Sequence, residues 1–556
     1  MIRRCEVTRT LEAVRRSGVH TEIDALLRAG RGGRPRQLAT DVFITGLLLV
    51  AAHNKTVTLV NVHKVLTQDI ARSLQTEIGT RYKPKGQSVS RPITERQVRY
   101  VLEAIEKCLA HTQGRAPELS DTDRQLRALA LQKILDKIVA SSLPAHLQRP
   151  SVLALDGTAI ESAARPRKAR RTAGSASSDD LALQADLDEG TQVDPDARWG
   201  YRTKTYDNKT TKCFGYELFA FVGVPAVGAP ADVLPKLTWR FAQRPAGTDV
   251  VEPSFTVLDS LDEDGHAVSE LLNDRAFSYK TADRWATPLR ERGIEQVFDL
   301  HEADRGVRDH EGIRIIDGTP HCPATPDDLV RIERPRNLNP KPLPAKATLE
   351  KRLQHRDEVK AVEEFHERIA ERETWSFRFV GNGKKAGTTR WECPAQAGKR
   401  ICTHCPLSQG FPAETPRVDN PPAATTKPKC CSQRTVTIPA EALAKTRQKH
   451  YWGSPDWIAS YARRTHVEGF FGNLKNPDTG NVRRGWTRVV GLVKTSIMTA
   501  CAIAATNIRL LRAWSRRTGD ITDPLCAPDP EDHGFEELSP DVIAGGTGNT
   551  SPPTAA

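Results

Sequence analysis

The sequence predicts an α/β protein with a mixed-sheet core, interrupted by a long insertion and preceded by a helical N-terminal domain. Three observations carry this prediction. Residues 1–150 place Leu26, Leu27, Val42, Ile44, Leu47, Leu48 and Leu49 on apolar helical faces. From Ser151 the texture changes to short apolar runs, strands first and then a mixed strand-and-helix pattern, as expected of an α/β core. Residues 301–450 break that pattern before helical core signals resume at 451. The division that follows is 1–150 helical, 151–300 and 451–517 the two parts of the core, 301–450 the insertion, and 518–556 a tail.

Taken in order, Gly30 to Arg36 reads as a basic hinge, and Thr94-Glu95-Arg96-Gln97 opens a helix that ends near Leu109. Val152-Leu153-Ala154-Leu155-Asp156 is an apolar run ending in a carboxylate, the pattern of a buried strand that delivers an acid at its end. Residues 162–196 turn first basic and then acidic and predict a mobile loop. Arg202 to Tyr216 predicts a hairpin turning at Asp207-Asn208 into the strand Tyr216–Val224. Further strands are expected at Leu237–Phe241, Ser254–Leu258 and Val297-Phe298, with a helix from Thr281 to Arg292. In the insertion, Thr348 to Glu373 is a charge-laced helix rich in i,i+4 pairs. Ser454-Pro455-Asp456 starts another helix, with Ser as N-cap and Pro in the first turn. Thr487 to Arg517 forms a long core helix, and its Lys494, Arg509 and Arg512 exclude a membrane span.

Charge narrows the partner. The 556 residues carry a net +12, yet residues 518–556 hold eight acids and no Lys or Arg, so the body is +20. That tail predicts disorder, since it buries too little apolar surface to offset chain entropy. A cationic body points to a polyanion, most often nucleic acid. The bland reading is a solvated arginine-rich surface. Residues 1–40, with nine Arg against four acids, suit a DNA-contacting module or equally a helical packing or dimerisation domain. No run approaches the roughly 20 apolar residues of a bilayer span, and the charged start carries no secretory signal, so a cytoplasmic protein is expected.

The most informative window is Tyr461-Ala-Arg-Arg464-Thr-His-Val-Glu468-Gly-Phe-Phe-Gly-Asn-Leu-Lys475. At 100° per residue, Tyr461, Arg464, Glu468 and Lys475 fall within an arc of about 60° on one helix face. The carboxylate suits a hard divalent cation. Arg464 and Lys475 suit phosphate oxygens, and Tyr461 suits a hydrogen bond or a stack. An exposed face of ordinary ion pairs is the competing reading.

The spacing Y-x2-R-x3-E-x6-K resembles the YREK group of bacterial insertion-sequence DDE transposases. Leu153-Ala-Leu-Asp156-Gly-Thr158 resembles that family's first-strand aspartate, and Leu271-Leu-Asn-Asp274-Arg its second. Asp194-Pro-Asp196-Ala-Arg-Trp-Gly200 resembles a recurrent loop of related transposases. The resemblance implies an RNase H-like catalytic core in which Asp156, Asp274 and Glu468 hold two Mg²⁺ ions, and in which Tyr461, Arg464 and Lys475 contact DNA. It implies cleavage at terminal inverted repeats, strand transfer into target double-stranded DNA, a homodimer on paired ends and a nucleoid-associated location. Ala276-Phe277 departs from the family's usual Gly-Tyr, and Asp259 competes with Asp274 as second carboxylate. Trp199 and Trp239 are candidates for stacking on a flipped base, or simply core. Residues 451–517 supply eleven Lys and Arg against three acids around this motif.

The insertion raises a separate possibility. Cys393, Cys402, Cys405 and Cys430 offer four thiols for structural zinc, with Cys322 as a further donor; reduced structural thiols are the alternative. Two other functional classes stay open. One is an inactive transposase-derived DNA-binding regulator, the other an RNase H-like nuclease.

Overall fold

The computed structural model describes residues 1–28, 36–166, 193–203, 210–230, 233–385, 387–405, 411–412, 414–421 and 428–519. The protein is mixed α/β. The hinge at 30–36 apart from Arg36, the hairpin turn at 207–208, most of the 162–196 loop and the tail beyond Gly519 lie outside the described residues.

The first 140 residues form helices α1 (Arg4–Ser17), α2 (Val19–Arg28), α3 (Thr40–Ala52), α4 (Leu59–Thr67) and α5 (Arg72–Glu77). A short hairpin, β1 (Arg81–Tyr82) with β2 (Arg91–Pro92), leads to α6 (Glu95–Leu109) and α7 (Asp121–Ala140). Helix α6 begins where the sequence placed it. The Thr94 side chain accepts from the Gln97 amide, and Gln97 reaches back to the Thr94 amide, so two otherwise unpaired N–H groups are satisfied. Helix α3 is buried from Thr40 to Ala51 on every side. Such a helix must lie inside other helices, and one hydrophobic core runs from Ile2 through the sheet to Leu511.

The sheet comprises β3 (Val152–Glu161), β4 (Arg198–Thr203), β5 (Thr210–Gly223), β6 (Thr238–Pro245), β7 (Glu270–Asn273) and β8 (Glu295–Phe298). Its order is β4-β5-β3-β7-β8, with β6 also paired to β5. Strands β3, β7 and β8 run parallel; β4, β5 and β6 are antiparallel to their neighbours. Between β6 and β7 lies helix α8 (Val251–Glu263), and between β7 and β8 the short α9 (Ala286–Glu291).

Helix α8 corrects the strand expected at Ser254–Leu258. Its buried positions Val251, Ser254, Val257, Leu258 and Leu261 recur every three or four residues. The apolar run Phe255 to Leu258 concealed that period, as short runs do. Helix α9 covers only part of the expected 281–292 and stops before Gly293, whose φ of +75° no helix accommodates.

The described part of residues 301–450 forms two three-stranded sheets, one long helix and two short ones. Strands β9 (Val307–His310), β10 (Ile313–Ile316) and β11 (Thr319–His321) precede α10 (Asp327–Val330) and α11 (Leu349–Thr374). Then follow β12 (Arg378–Asn382), β13 (Thr388–Glu392), β14 (Val436–Pro439) and α12 (Ala440–Leu443). Thr348 caps α11, which buries only Val362, Phe365, Ile369 and Arg372, all in its second half. The core resumes with α13 (Pro455–Ala462), capped by Ser454 as expected, then α14 (Thr465–Lys475) and α15 (Leu492–Thr518). Helix α15 begins later than the expected Thr487, because Gly491 at φ +101° turns the chain into it. It packs on α3, α6 and α7, so the N-terminal helices share the core of the sheet region. Among the described residues no helix is long and apolar enough to cross a membrane.

Candidate active site

Two parallel neighbours bring the first two carboxylates together. Leu155 of β3 is in register with Asn273 of β7, so Asp156 and Asp274 each stand one residue further on. Both line a cavity of about 650 Å³, together with Gly157, Glu217, Asp249 and Lys280. Helix α14 lies against β3 and β5 and presents the third carboxylate, Glu468, to this end of the sheet.

A single guanidinium joins these elements. Arg464 Nη2 donates to Glu468 Oε1 at 2.7 Å, and Nη1 stands 3.5 Å from Asp156 Oδ2. The Arg464 side chain is 16% exposed, against 50% for Glu468. Burial works against its charge, but Tyr461, Asp274, Glu468 and Asp156 more than offset that and raise its pKa. Lys475 Nζ donates to Thr158 Oγ1 at 2.6 Å, and Thr158 lies two residues beyond Asp156 on the same face of β3. Tyr461 stacks on Trp457 at 4.9 Å with 13° between the rings, and the Arg464 guanidinium sits 5.5 Å above it.

The motif does not lie on one continuous helix. The helix is interrupted after Ala462 and resumes at Thr465. Across the break the amides of Arg463, Arg464, His466 and Val467 bond three residues back rather than four. The tighter turn has about three residues per turn, so the stripe computed at 100° per residue is only approximate here. The Thr465 hydroxyl donates to the Ala462 carbonyl and holds the turn.

Arg463, next to the motif arginine, fixes the break. It is paired with Glu270 at the start of β7, and it also donates to the Pro225 carbonyl at 2.9 Å. Glu270 additionally accepts from Ser460 Oγ at 2.9 Å and from Lys449. Burial raises the Glu270 pKa, but Lys449, Arg463 and Ser460 outweigh it and hold the carboxyl below its ordinary value. The strand that leads into Asp274 thus begins on a residue that anchors the helix pair carrying Arg464 and Glu468. The motif resemblance does not mark Glu270 or Arg463. A lone acid opening the apolar run Leu271-Leu272 was the available signal, as was Glu217 within Tyr216–Val224.

The Asp194–Gly200 loop has a structural use. Asp194 accepts from Ser162 Oγ, Tyr216 OH and the Gly491 amide, and Asp196 accepts from Thr112 and the Leu492 amide. Two buried acids therefore cap the N-terminus of α15, where the helix dipole favours negative charge. The 193–196 end of the expected mobile loop is fixed in place.

Other candidates fall elsewhere. Asp259 lies on α8, where it accepts from Arg292 at 2.5 Å, and it is absent from the cavity lining. Trp239 is 4% exposed, edge-on to His266, and Trp199 packs on Phe214; neither lines the cavity. The four cysteines considered for zinc lie in two small adjoining cores. Cys430 packs with Ile313, Phe377 and Trp391, whereas Cys402 and Cys405 pack with Leu329 and Trp375; Cys322 and Cys393 border both. Among the described residues, no three or more His, Cys, Asp or Glu side chains stand close enough together to hold a metal ion. That applies to the thiols and, as the side chains stand around Arg464, to the acid trio. The donor chemistry of the trio still fits a hard cation, because its carboxylates already converge on one positive group.

The strand expected to end at Asp156 continues to Glu161, so Asp156 stands in mid-strand beside Asp274; facing them is a helix with one acid and two cations, Glu468, Arg464 and Lys475. Against known families, residues 375–512 match one described as Transposase DDE domain, which supports a DDE transposase. The match covers about a quarter of the chain, including Glu468 and the cysteine segment, and stops short of Asp156 and Asp274. No curated protein and no solved structure matches the chain.

Proposed function

We propose that the protein is an insertion-sequence DDE transposase of the YREK group that cleaves DNA at element ends and transfers the freed strand to target DNA. The observation that carries this reading is the convergence of Asp156, Asp274 and Glu468, from three separated segments, on Arg464. The strand order, with β6-β5-β3 antiparallel and β3-β7-β8 parallel, supports an RNase H-like core. On this reading the three carboxylates would hold divalent metal, Mg²⁺ in the cell. The chemistry such ions would supply there is activation of a nucleophilic oxygen and stabilisation of a leaving oxygen in phosphoryl transfer.

The chain's own residues supply orientation. Arg464 offers a planar fork for phosphate and Lys475 a point charge, on either side of the acids. Tyr461 keeps Arg464 aimed by stacking on Trp457. Arg483, Arg484 and Arg488, exposed beyond α14, extend the cationic surface along which duplex DNA, the terminal repeats and the target, would lie. Not all the basic density serves DNA: Lys494 is paired with Glu106, and Arg509 donates to the Ala51 and Ala52 carbonyls. Residues 1–150 as an end-binding domain, and a homodimer on paired ends, belong to the same proposal.

The test is Mg²⁺-dependent cleavage of the DNA flanking the gene, wild type against Glu468→Gln. The expected result is end cleavage by wild type and none by the variant. Inert wild type, or an active variant, would overturn the reading.

A further inference from the structure

Arg464 lies where two roles compete. As a phosphate ligand its fork should face DNA. In the folded chain it instead faces inward, with one arm on Glu468 and the other on Asp156, and with Asp274 adding to the same field. Among the described residues its Nε is buried without a hydrogen-bond partner, so the carboxylate contacts do not come with a full set of guanidinium bonds. The ring beneath it, Tyr461, holds the guanidinium through its face, 5.5 Å away, and not through a directional hydrogen bond. Its backbone sits at the break between α13 and α14, beside the anchored Arg463. Glu468 is half exposed, so the partner that holds the shorter contact is also the one free to turn.

We propose that Arg464 is the built-in counter-cation of the acid cluster, released from the carboxylates when divalent metal takes them and then available to DNA phosphate. It rests on the reading of the trio as the metal site. A cation cannot enter the cluster beside a guanidinium without repulsion, while three carboxylates without either repel one another. Arg464 thus lowers metal affinity when DNA is absent. When phosphate takes its fork, that competition ends. Metal and DNA therefore bind cooperatively, and each favours the other by the same factor.

The experiment measures Mn²⁺ binding to the full-length protein by electron paramagnetic resonance, with and without a short DNA duplex. The proteins are wild type, Arg464→Ala, Arg464→Lys and Asp156→Asn, with circular dichroism to verify folding of each. Without DNA, Arg464→Ala should bind Mn²⁺ about tenfold tighter than wild type, a difference of ~1.4 kcal/mol. Arg464→Lys should stay near wild type, because it retains the charge. Added duplex should tighten Mn²⁺ binding by wild type and leave Arg464→Ala unmoved. Mn²⁺ binding that depends on Asp156 but is no tighter in Arg464→Ala would overturn the counter-cation role while leaving the metal site standing. Binding that ignores Asp156 in every folded variant would overturn both.

Discussion

Glu270→Gln tests how the site is held together, independently of its chemistry. The substitution keeps the shape of the side chain and removes the charge that pairs with Arg463. Glu270 is 2% exposed and Arg463 9%, so this pair is not screened by solvent. Removing one partner of such a pair costs about 3–5 kcal/mol. Arg463 retains the Pro225 carbonyl at 2.9 Å and the Ser460 carbonyl at 3.2 Å, which places the cost near the lower limit. Lys449 is 43% exposed and rehydrates, so its contact with Glu270 adds little. A local loss of about 3 kcal/mol corresponds to roughly hundredfold faster opening. Hydrogen exchange of the amides from 460 to 468 reads it directly, with α4 as an internal control. The folded pKa of Glu270 lies below its ordinary 4.5, so its stabilisation is present above that value and is lost as pH falls through the lower folded one. The gap between wild type and variant should therefore be full at pH 7 and close under acid conditions. Unchanged exchange at pH 7 would refute the anchoring role.

Three further outcomes follow from the geometry. Gly491→Ala should destabilise the fold by about 1–3 kcal/mol, since Gly491 has φ +101° and a Cβ there would stand 3.0 Å from the Glu106 carboxylate; an unchanged melting temperature would count against it. Replacing Arg483, Arg484 and Arg488 together by Ala should flatten the log-affinity against log-salt slope for duplex DNA by up to about 2.7, each phosphate contact contributing roughly 0.9. An unaltered slope would remove this segment from the interface. Burial pushes the Cys393 thiol up to about 11 and the Cys322 thiol up to about 12, so both should alkylate slowly at pH 7.5 in the native protein and readily once unfolded. Rapid native labelling would show that these thiols are not held as the structure has them.

Local signals were legible in the sequence because they act within a few residues. Thr94 with Gln97, and Ser454 with Pro455, mark helix starts through backbone amides three positions away. The apolar run Val152–Leu155 marks a buried strand because burial requires it. The four motif positions from Tyr461 to Lys475 were visible as a spacing, and the Asp194–Gly200 loop as a pattern without a role. Tertiary structure decided the rest. Phe255 to Leu258 became helix because α8 has a sheet face to cover, which a four-residue window cannot register. Asp274 rather than Asp259 neighbours Asp156 because β7 pairs in parallel with β3. Which basic residues stay exposed and which hold the protein together depends on partners far away in the chain, as with Arg463 and Glu270 or Lys494 and Glu106. The chain alone determined which charges it carries, while packing decided which carboxylates must share Arg464, since proximity between distant segments follows only from burying their common core.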